Sequence, residues 1–558
     1  MADTALIDAA PAAEESVPER PWRRKARRIA RWTVTTLAVL LVFFALVAPN
    51  QLSHYGLRSL LRIPLEGLIG AAIMLVLPAK ARRILAVPVG VLLGLLTLLK
   101  FIDMGFYESL DREFNPVVDW FLLGDAVDFV RRSEGKAGAI TAVVVAVLLV
   151  LAVLVFMVLA VLRLSRLLVG YRPQATRTIA ALGVVWVLCA ALGVHLRPGV
   201  PVAADEAAAL TYDRGVVVYD GLQDKRTFAA DAAVDAFRGT PSDHLLTGLR
   251  GKDVMLTFVE SYGRVALEDP VLGPQLAPLL DDGYRRLQAA GFSARSGFLT
   301  SPTFGGGSWL AHSTLLSGLW INGAPRYNNL LASDRFTLNK AFKQAGWHTV
   351  SMEPAVTGSW PESAFYGYDK LYTARTMGYR GPLFNFASTP DQYTLEQFQR
   401  GERAAPNHPP TMAEIVLLSS HAPWAPLPKF MDWSALGDGR SYNAQGPWGP
   451  LPSTTSQIRA AFIHSIEYSL STLLSYVETY GDKNLVLVFL GDHQPAPVVA
   501  GEGASRDVPI TIVAHDPTVL DRIAGWGWQD GLRPDPHAPV WRMDSFRDRF
   551  LTAFGPRP

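Results

Sequence analysis

The stretch QIRAAFIHSIEYSLSTLLSYVETYGDKNLVLVFLGDH, residues 457–493, contains the pattern that decides the fold of the C-terminal half. Its first part has apolar residues at helical spacing, and NLVLVFLG is a short continuous apolar run typical of a buried strand. Two polar side chains, Asp492 and His493, follow that strand directly. A helix that leads into a fully apolar strand is the repeating unit of a parallel sheet covered by helices.

The same alternation recurs throughout the C-terminal half of the chain. Further strands are predicted at DVMLTFVE (253–260), HTVSMEP (348–354), AEIVLLSS (413–420) and VPITIVAHD (508–516), with helical segments at 276–291 and 336–346 between them. We therefore predict an α/β domain with a mainly parallel sheet sandwiched by helices. Residues 198–252 are predicted to be a linker in which GVVVYDGLQ (215–223) forms one strand.

Chemically active side chains follow the predicted strands. They are Glu260, Ser308, His421, Asp492 and His493. Because ligands bind beyond the carboxyl ends of the strands in such sheets, we expect these side chains to converge at one edge.

Ser308 follows three glycines in TFGGGSWLAH, residues 303–312, and has two interpretations. It can be the N-cap of the following helix, or a nucleophile in a loop whose glycines let the backbone approach a phosphate or metal. The acids and histidines predicted nearby favour the nucleophile. His312, one helical turn further on, is expected to pack or to orient its neighbours.

Glu260, Asp492 and His493, completed by the Ser308 oxygen, form a ligand set that suits Mn²⁺ or Zn²⁺. Such an ion lowers the pKa of a serine hydroxyl and polarises a phosphoryl oxygen. His421 is then a candidate general acid or base. Only this cluster is evident, so we expect one metal. Each group also has a plain structural interpretation: a surface acid, a turn for GDHQP, and a capping or core histidine for His421.

Five apolar runs precede this domain, and each approaches the ~20 residues that a membrane-spanning helix needs. Together with their basic flanks they predict a polytopic membrane domain with an uncleaved first span. The single cysteine, Cys189, lies in the fifth run, so the C-terminal domain has no disulfide. The runs are Thr33–Pro49, Pro64–Pro78, Ile84–Ile102, Ala139–Leu162 and Thr178–Leu196.

Basic residues cluster before the first run, between the second and third, and between the fourth and fifth. The connection between the third and fourth runs, residues 103–136, is acidic instead and permits an interfacial helix that docks on the C-terminal domain. The positive-inside rule places the three basic clusters in the cytoplasm, and five spans then put everything after Leu196 outside.

Four motifs in this order, FVES (258–261), the small-residue loop before Ser308, SSHAPW (419–424) and FLGDHQP (489–495), resemble the sulfatase-like part of the alkaline phosphatase superfamily. With the preceding spans, the chain is similar to lipoteichoic acid synthase-type phosphoglycerol transferases and to phosphoethanolamine transferases. The resemblance implies a membrane enzyme with an alkaline phosphatase-like catalytic domain.

The resemblance also implies a role for each matching residue. Glu260, Ser308, Asp492 and His493 would bind the catalytic metal, and Ser308 would carry the phospho-group as a covalent intermediate. His421 and Trp360 would contact the substrate headgroup. The chain departs from the family by having serine in place of threonine as the nucleophile, and Pro361 and Glu362 where an arginine usually follows the tryptophan. It also lacks the x-Pro-x-Arg that formylglycine sulfatases need, so sulfate ester hydrolysis is not expected.

We accordingly expect a metal-dependent transferase that takes a phosphoglycerol or phosphoethanolamine headgroup from a membrane phospholipid and passes it to an envelope glycan or lipid. The metal is expected to be Mn²⁺, with Zn²⁺ and Mg²⁺ as alternatives, and no nucleic-acid partner is expected. The alternative is an anchored phosphodiesterase or phosphatase with water as acceptor. A non-catalytic scaffold and a transporter fit the motifs less well.

The expected organisation places the enzyme in the bacterial inner membrane with its catalytic domain outside the cytoplasm. The segments are a cytoplasmic basic tail (1–32), a five-span transmembrane domain (33–197), an extracytoplasmic linker (198–252) and a sulfatase-like catalytic domain (253–558).

Overall fold

The computed structural model describes residues 21–56, 61–197, 200–384, 389–446 and 451–556. The chain divides into two compact units. The first comprises residues up to Ile102 together with Val127–Asp213, and the second comprises Asp103–Ala126 together with Arg214–Pro558.

The N-terminal part of the chain is helical and apolar. Four of its helices contain segments that are long and apolar enough to cross a membrane, by length and composition: Lys25–Val47, Ala79–Leu110, Glu134–Gly170 and Arg172–Ala191. The helices are α1 (Pro21–Val47), α2 (Leu65–Val76), α3 (Ala79–Leu110), α4 (Trp120–Gly170, broken at Gly135) and α5 (Arg172–Ala191), and the short strands are β1 (Ile63–Pro64), β2 (His195–Arg197), β3 (Val200–Pro201) and β4 (Ala203–Ala204).

The second predicted span differs from the other four. It forms α2, whose 12 residues extend about 18 Å, less than the ~30 Å of a bilayer core. The helix ends at Leu77, which has an extended backbone (ψ 141°) because Pro78 follows it and disfavours helical geometry. The prediction of a helical membrane domain is confirmed, and its count of five spans is approximate.

Residues 206–233 form one helix, α6 (Glu206–Ala233), of 28 residues. The prediction that 215–223 forms a strand is therefore wrong. The three valines of GVVVYDGLQ lie between alanine-rich and charged segments that favour a helix, and a run this short gives no reliable period.

The second unit is an α/β domain, as predicted. Its helices are α7 (Val265–Glu268), α8 (Gly273–Ala289), α9 (Ser308–Ser317), α10 (Ala324–Leu331), α11 (Leu338–Gln344), α12 (Ser363–Tyr366), α13 (Asp391–Phe398), α14 (Thr455–Tyr480), α15 (Pro497–Ala500), α16 (Pro517–Asp521) and α17 (Phe546–Ala553). Its strands are β5 (Asp253–Val259), β6 (Ser293–Thr300), β7 (His348–Glu353), β8 (Lys370–Thr373), β9 (Thr411–Leu417), β10 (Leu485–Gly491), β11 (Asp507–Ala514), β12 (Gln529–Asp530) and β13 (Val540–Arg542).

These strands form one sheet in the order β12-β6-β11-β10-β5-β9-β7-β8, with β13 beside β6. The five neighbours β10, β5, β9, β7 and β8 are parallel, as the apolar strand pattern predicts. Strand β11 is antiparallel to both of its neighbours, β10 and β6, so the complete sheet is mixed. Strand β6 consequently runs in the same direction as β10.

Apolar side chains cover both faces of the sheet. Met255 and Val259 of β5 pack on one face with residues of α8 and α14, whereas Leu256 and Phe258 pack on the other with residues of α9, α11 and α17. A strand buried on both faces has to be apolar throughout, which explains the continuous runs in the sequence. The polar residues that follow the strands are thereby left at the carboxyl edge.

Candidate active site at the carboxyl edge of the sheet

Three buried side chains meet where β5 and β10 end. Glu260 follows β5, and Asp492 and His493 follow β10. One potential ligand atom from each lies within 4.8 Å of the other two. We call these residues the Glu260–Asp492–His493 cluster. The convergence expected from strand order therefore occurs.

Ser308 lies beside this cluster as the first residue of α9. The N-cap position belongs to Gly307, which has a left-handed backbone (φ 79°, ψ 38°) and no side chain to cap the helix. The Ser308 hydroxyl donates instead to Glu260 Oε2 at 2.9 Å and lies 3.2 Å from His493 Nε2. The structure thus excludes the N-cap interpretation and joins Ser308 to the acidic and histidine cluster.

The loop before Ser308 is fastened to the segment after β10. The Ser301 hydroxyl donates to the Asp492 carbonyl oxygen at 2.6 Å, and the Gly305 N–H donates to the Gln494 carbonyl oxygen at 2.9 Å. A short parallel bridge joins Phe304 and Gln494. These bonds fix the distance between Ser308 and the ligands on β10.

Backbone groups orient two of the three cluster residues. His493 Nδ1 donates to the Gln494 carbonyl oxygen at 2.8 Å, which leaves Nε2 as the ring nitrogen that faces Glu260 Oε1, 3.3 Å away. Asp492 Oδ1 accepts from the N–H groups of Ser261 at 2.8 Å and His493 at 2.7 Å. Such outer hydrogen bonds commonly orient the ligands of a metal.

Three serines and one glutamine around the cluster were not singled out from the sequence. Ser261 has a left-handed backbone (φ 60°), and its hydroxyl donates to Glu260 Oε1 at 2.9 Å. The Ser420 hydroxyl donates to the Glu260 carbonyl oxygen at 2.6 Å. The only sequence signal for Ser261, Ser301, Ser420 and Gln494 was their position within or beside the recognised motifs.

The cluster carries strongly perturbed pKa values. Burial alone would raise the pKa of Glu260, but the neighbouring His493 imidazole holds it well below its usual range. Burial and the Glu260 carboxylate raise the pKa of Asp492 to about 7. Burial would lower the pKa of His493, but the two carboxylates raise it to about 9. The two buried carboxylates therefore favour a positive charge beside them, which the His493 imidazolium supplies.

A divalent cation fits these residues. Asp492 Oδ2 is buried and receives no hydrogen bond from any residue that the structure describes, which leaves it available as a ligand. Two carboxylates and the His493 Nε2, at which a cation would replace the proton, with a hydroxyl beside them, form a ligand set that Mn²⁺ and Zn²⁺ both accept. Zn²⁺, Mn²⁺ and Mg²⁺ differ in ligand preference, and the identity of the metal stays a prediction.

The other two predicted site residues lie in different surroundings. His421 is close enough to Glu260 for its charge to lower the Glu260 pKa, and its Nδ1 lies 2.6 Å from the Ala422 carbonyl oxygen. Trp360 is half-buried and packs near Tyr366, with ring centroids 6.1 Å apart. The structure groups Trp360 with that tyrosine, whose hydroxyl is 2.8 Å from Ser313 Oγ on α9. Their roles in substrate binding stay predictions.

The segment Asp103–Ala126 belongs to the same unit as the site. The Asp111 carboxylate accepts from the Gly503 N–H at 2.7 Å. At Gly305, which has φ 70°, a Cβ atom would lie 2.0 Å from the Ser109 carbonyl oxygen. The end of α3 therefore packs directly on the loop that precedes Ser308.

One family model matches part of this domain, and several solved structures are similar to the chain. Residues 282–507 match the sulfatase family model, and no curated protein matches the chain by sequence. Solved structures similar to it include lipoteichoic acid synthase LtaP from Listeria monocytogenes, with 15% identity and a TM-score of 0.36 over 52% of this chain and 71% of that one.

Two further structures show a comparable level of similarity. The periplasmic domain of EptC from Escherichia coli has 13% identity and a TM-score of 0.37 over 55% of this chain and 82% of that one. Phosphoglycerol transferase GacH from Streptococcus pyogenes, in complex with sn-glycerol-1-phosphate, has 13% identity and a TM-score of 0.33 over 59% of this chain and 90% of that one. The residues that match the sulfatase family model include Ser308, His421, Asp492 and His493, and the predicted resemblance to sulfatase-like enzymes is confirmed.

Proposed function

We propose that this protein is a membrane-anchored phosphotransferase that uses Ser308 as its nucleophile. The observation that carries the proposal is the position of the Ser308 hydroxyl, 2.9 Å from Glu260 Oε2 and 3.2 Å from His493 Nε2 at the start of α9. A serine that only capped a helix would have no reason to contact a buried carboxylate and a buried imidazole.

The donor is proposed to be a phospholipid, from which the headgroup phosphate is taken. The Ser308 oxygen forms a bond to phosphorus, and the bond between phosphorus and the diacylglycerol oxygen breaks. His421 donates a proton to that leaving oxygen, and diacylglycerol is released. The serine proton is released to water when the hydroxyl is deprotonated and is regained when the Ser308 oxygen leaves in the second half-reaction, in which His421 takes the proton of the acceptor hydroxyl.

In the second half-reaction an acceptor hydroxyl of an envelope glycan or lipid attacks the phospho-serine, and the Ser308 oxygen leaves. A divalent metal held by Glu260, Asp492 and His493 would lower the pKa of the serine hydroxyl and polarise the phosphoryl oxygen. Mn²⁺ is our first candidate for it. Helix α9 begins at Ser308, and the first N–H groups of a helix favour a bound anion.

Anchoring in the membrane supports a lipid donor. The apolar helices keep the enzyme at the bilayer surface, where headgroup phosphates are concentrated, so attachment raises the effective concentration of the donor. We propose that residues 253–558 form the catalytic domain outside the cytoplasm, that 33–197 anchor it in the bacterial inner membrane, and that 1–32 and 198–252 are the basic tail and the linker. This orientation requires an odd number of spans, so α2 has to cross together with the four longer helices, and the three basic clusters then all lie on the cytoplasmic side.

The proposal is tested with purified protein, mixed phosphatidylglycerol and phosphatidylethanolamine, and Mn²⁺. We expect diacylglycerol release and a covalent phospho-adduct on Ser308, whose mass identifies the headgroup. Ser308→Ala should abolish both, whereas Ser308→Thr should retain part of each because it keeps a hydroxyl. Folded wild-type protein that yields neither product with Mn²⁺ or Zn²⁺ would contradict the proposal.

The same experiment distinguishes the transferase from the alternative hydrolase. If water is the acceptor, the headgroup phosphate accumulates free in solution at the rate of diacylglycerol release. If a glycan or lipid is the acceptor, release stops after one equivalent until that acceptor is added.

A further inference from the structure

Two further carboxylates lie inside the apolar core, on the face of the sheet that α9 covers. Glu414 is in the middle of β9, level with Leu256 of β5 and Ser351 of β7. Glu353 ends β7, two residues after Ser351, and so lies on the same face. Glu414 is 2% exposed and Glu353 is 8% exposed. Carboxylates this deeply buried need a compensating positive charge or a proton.

His312 of α9 completes the group. Its Nδ1 lies 3.9 Å from Glu414 Oε1, too far for a hydrogen bond. Its Nε2 is buried and has no hydrogen-bond partner among the residues that the structure describes. One ligand atom from each of His312, Glu353 and Glu414 lies within 4.8 Å of the other two. We call these three residues the His312–Glu353–Glu414 cluster.

The hydrogen bonds around this cluster are too few to stabilise two ionised carboxylates. Glu353 Oε1 accepts from the Ser351 hydroxyl at 3.2 Å, and Glu414 Oε2 accepts from the Tyr368 hydroxyl. Over the described ranges of the chain, neither glutamate forms an ion pair with lysine or arginine. Burial raises the pKa of Glu414 to about 7. It also raises that of Glu353 well above its usual range, with a further contribution from the Glu414 charge.

We propose that the His312–Glu353–Glu414 cluster is a second cation site, distinct from the Glu260–Asp492–His493 cluster, and that it binds a divalent ion of the Mn²⁺ or Zn²⁺ type. Two carboxylates and one imidazole are ligands that both ions accept. The ion would displace the protons that the buried glutamates otherwise hold and supply the positive charge that their carboxylates need. The sequence predicts a single metal, so this site adds to that expectation.

Burial favours a bare ion over an organic cation such as the ammonium group of a lipid. An ammonium group attached to a phosphate has to enter through an opening, whereas the side chain of Glu414 is only 3% exposed and that of His312 is 12% exposed. The mutual ligand distances are also short enough for one ion to contact all three residues.

The second site would act on the nucleophile through α9. His312 lies four residues after Ser308 on that helix, and its ring stacks on Phe258 with centroids 3.9 Å apart. A cation held by His312, Glu353 and Glu414 ties α9 to strands β7 and β9. Its role is therefore to position the helix that begins with Ser308, and we assign it no step in the chemistry.

The test counts metal in the full-length protein purified in detergent. After saturation with Mn²⁺, and separately with Zn²⁺, and removal of free ions, elemental analysis should find two equivalents per chain. Glu414→Gln should bind one equivalent, as should Glu260→Gln, and the double variant should bind none. Glu402→Gln is the matched control, because Glu402 is equally buried but is paired with Lys370 at 2.7 Å, so it should keep two.

Several outcomes would overturn the second site. If the wild-type protein binds only one equivalent of Mn²⁺ and only one of Zn²⁺, the second site is contradicted. This result needs no variant, so it holds even if Glu414→Gln fails to fold. Two equivalents in folded Glu414→Gln would place the second ion elsewhere. One equivalent in the wild type, combined with a changed headgroup preference in Glu414→Gln, would show that the cluster recognises an organic cation. Because the count needs no turnover, it is independent of whether Ser308 forms an adduct.

Discussion

The hydrogen bond from the Ser308 hydroxyl to the Glu260 carboxylate is the central contact of the proposed site. The serine hydroxyl is polarised only if a neighbour accepts its hydrogen bond and holds a charge, and Glu260 does both from a buried position. Ser261 and Ser420 in turn bond to Glu260. The orientation of the nucleophile therefore depends on a carboxylate that accepts from the Ser261 hydroxyl, in a residue whose backbone carbonyl accepts from the Ser420 hydroxyl.

Replacing Glu260 by glutamine tests this dependence. Glutamine keeps the size of the side chain but removes its negative charge, so we expect the Glu260–Asp492–His493 cluster to lose its metal. Phosphotransferase activity should fall by more than about 100-fold. Replacing even a residue that only hydrogen-bonds to a metal ligand lowers metal affinity or activity by 10- to 100-fold. Metal content and diacylglycerol release are the measurements. Activity within tenfold of the wild type would show that Glu260 is not a ligand.

The residues of the Glu260–Asp492–His493 cluster could be predicted from the sequence, whereas the pairing of Glu353 with Glu414 could not. Strand order alone brings Glu260, Asp492 and His493 to one edge, because each directly follows an apolar run. Glu414 gives no such signal: in AEIVLLSS it is a single polar letter inside a strand, and only the register with β7 places it beside Glu353. Cross-strand neighbours depend on pairing, which the order of the residues does not contain.

At the level of elements, the end of α3 supports the loop that carries the nucleophile. Ser109 and Leu110 pack against Gly305 and Gly306, and Asp111 bonds to the Gly503 N–H. The sequence permitted an element between the third and fourth apolar runs to dock on the catalytic domain, and residues 103–126 do group with it. Which backbone atoms meet could not be predicted, because close backbone approach depends on the packed fold.

Gly305→Ala tests this support. Alanine would place a Cβ atom 2.0 Å from the Ser109 carbonyl oxygen, so the loop or the end of α3 has to move. A shift of the nucleophile by about 1 Å can reduce the rate by roughly 10²-fold. We expect a loss of that order in the rate of adduct formation, while metal binding, which needs Glu260, Asp492 and His493, is retained.

Gly437→Ala provides the control for backbone strain. Gly437 also has a left-handed φ, 56°, but its Cβ would meet no atom within 4 Å. Both variants therefore carry the roughly 1–2 kcal/mol penalty of alanine in that conformation, and only Gly305→Ala adds the collision. Equal adduct rates in the two variants would indicate that strain alone, and not the contact with Ser109, matters at Gly305.

Over the whole second unit, a buried charged group joins segments that are far apart in the sequence. Asp235, which follows α6, accepts from Arg547 of α17 through both carboxylate oxygens, at 3.0 and 3.1 Å. Arg335, just before α11, lies 3.3 Å from the same carboxylate. The side chain of Asp235 is 1% exposed and that of Arg547 is fully buried. Removal of one charge from such a group leaves the others uncompensated.

Asp235→Asn should therefore lower the free energy of unfolding by about 3–5 kcal/mol at pH 7. Burial would raise the pKa of Asp235, but Arg547 and Arg335 hold it below its usual range. A carboxyl group whose pKa is depressed in the folded state stabilises the fold above its unfolded pKa, about 3.9, and loses that contribution as the pH falls through its folded pKa. The difference between wild type and variant should accordingly shrink below about pH 4. Chemical unfolding followed by tryptophan fluorescence measures both quantities.

Asp281→Asn is the control, because its pair with Arg533 is exposed and should contribute less than about 1 kcal/mol. If the two variants lose equal stability at pH 7, the charges around Asp235 do not hold α6, α11 and α17 together, and apolar packing alone must do so.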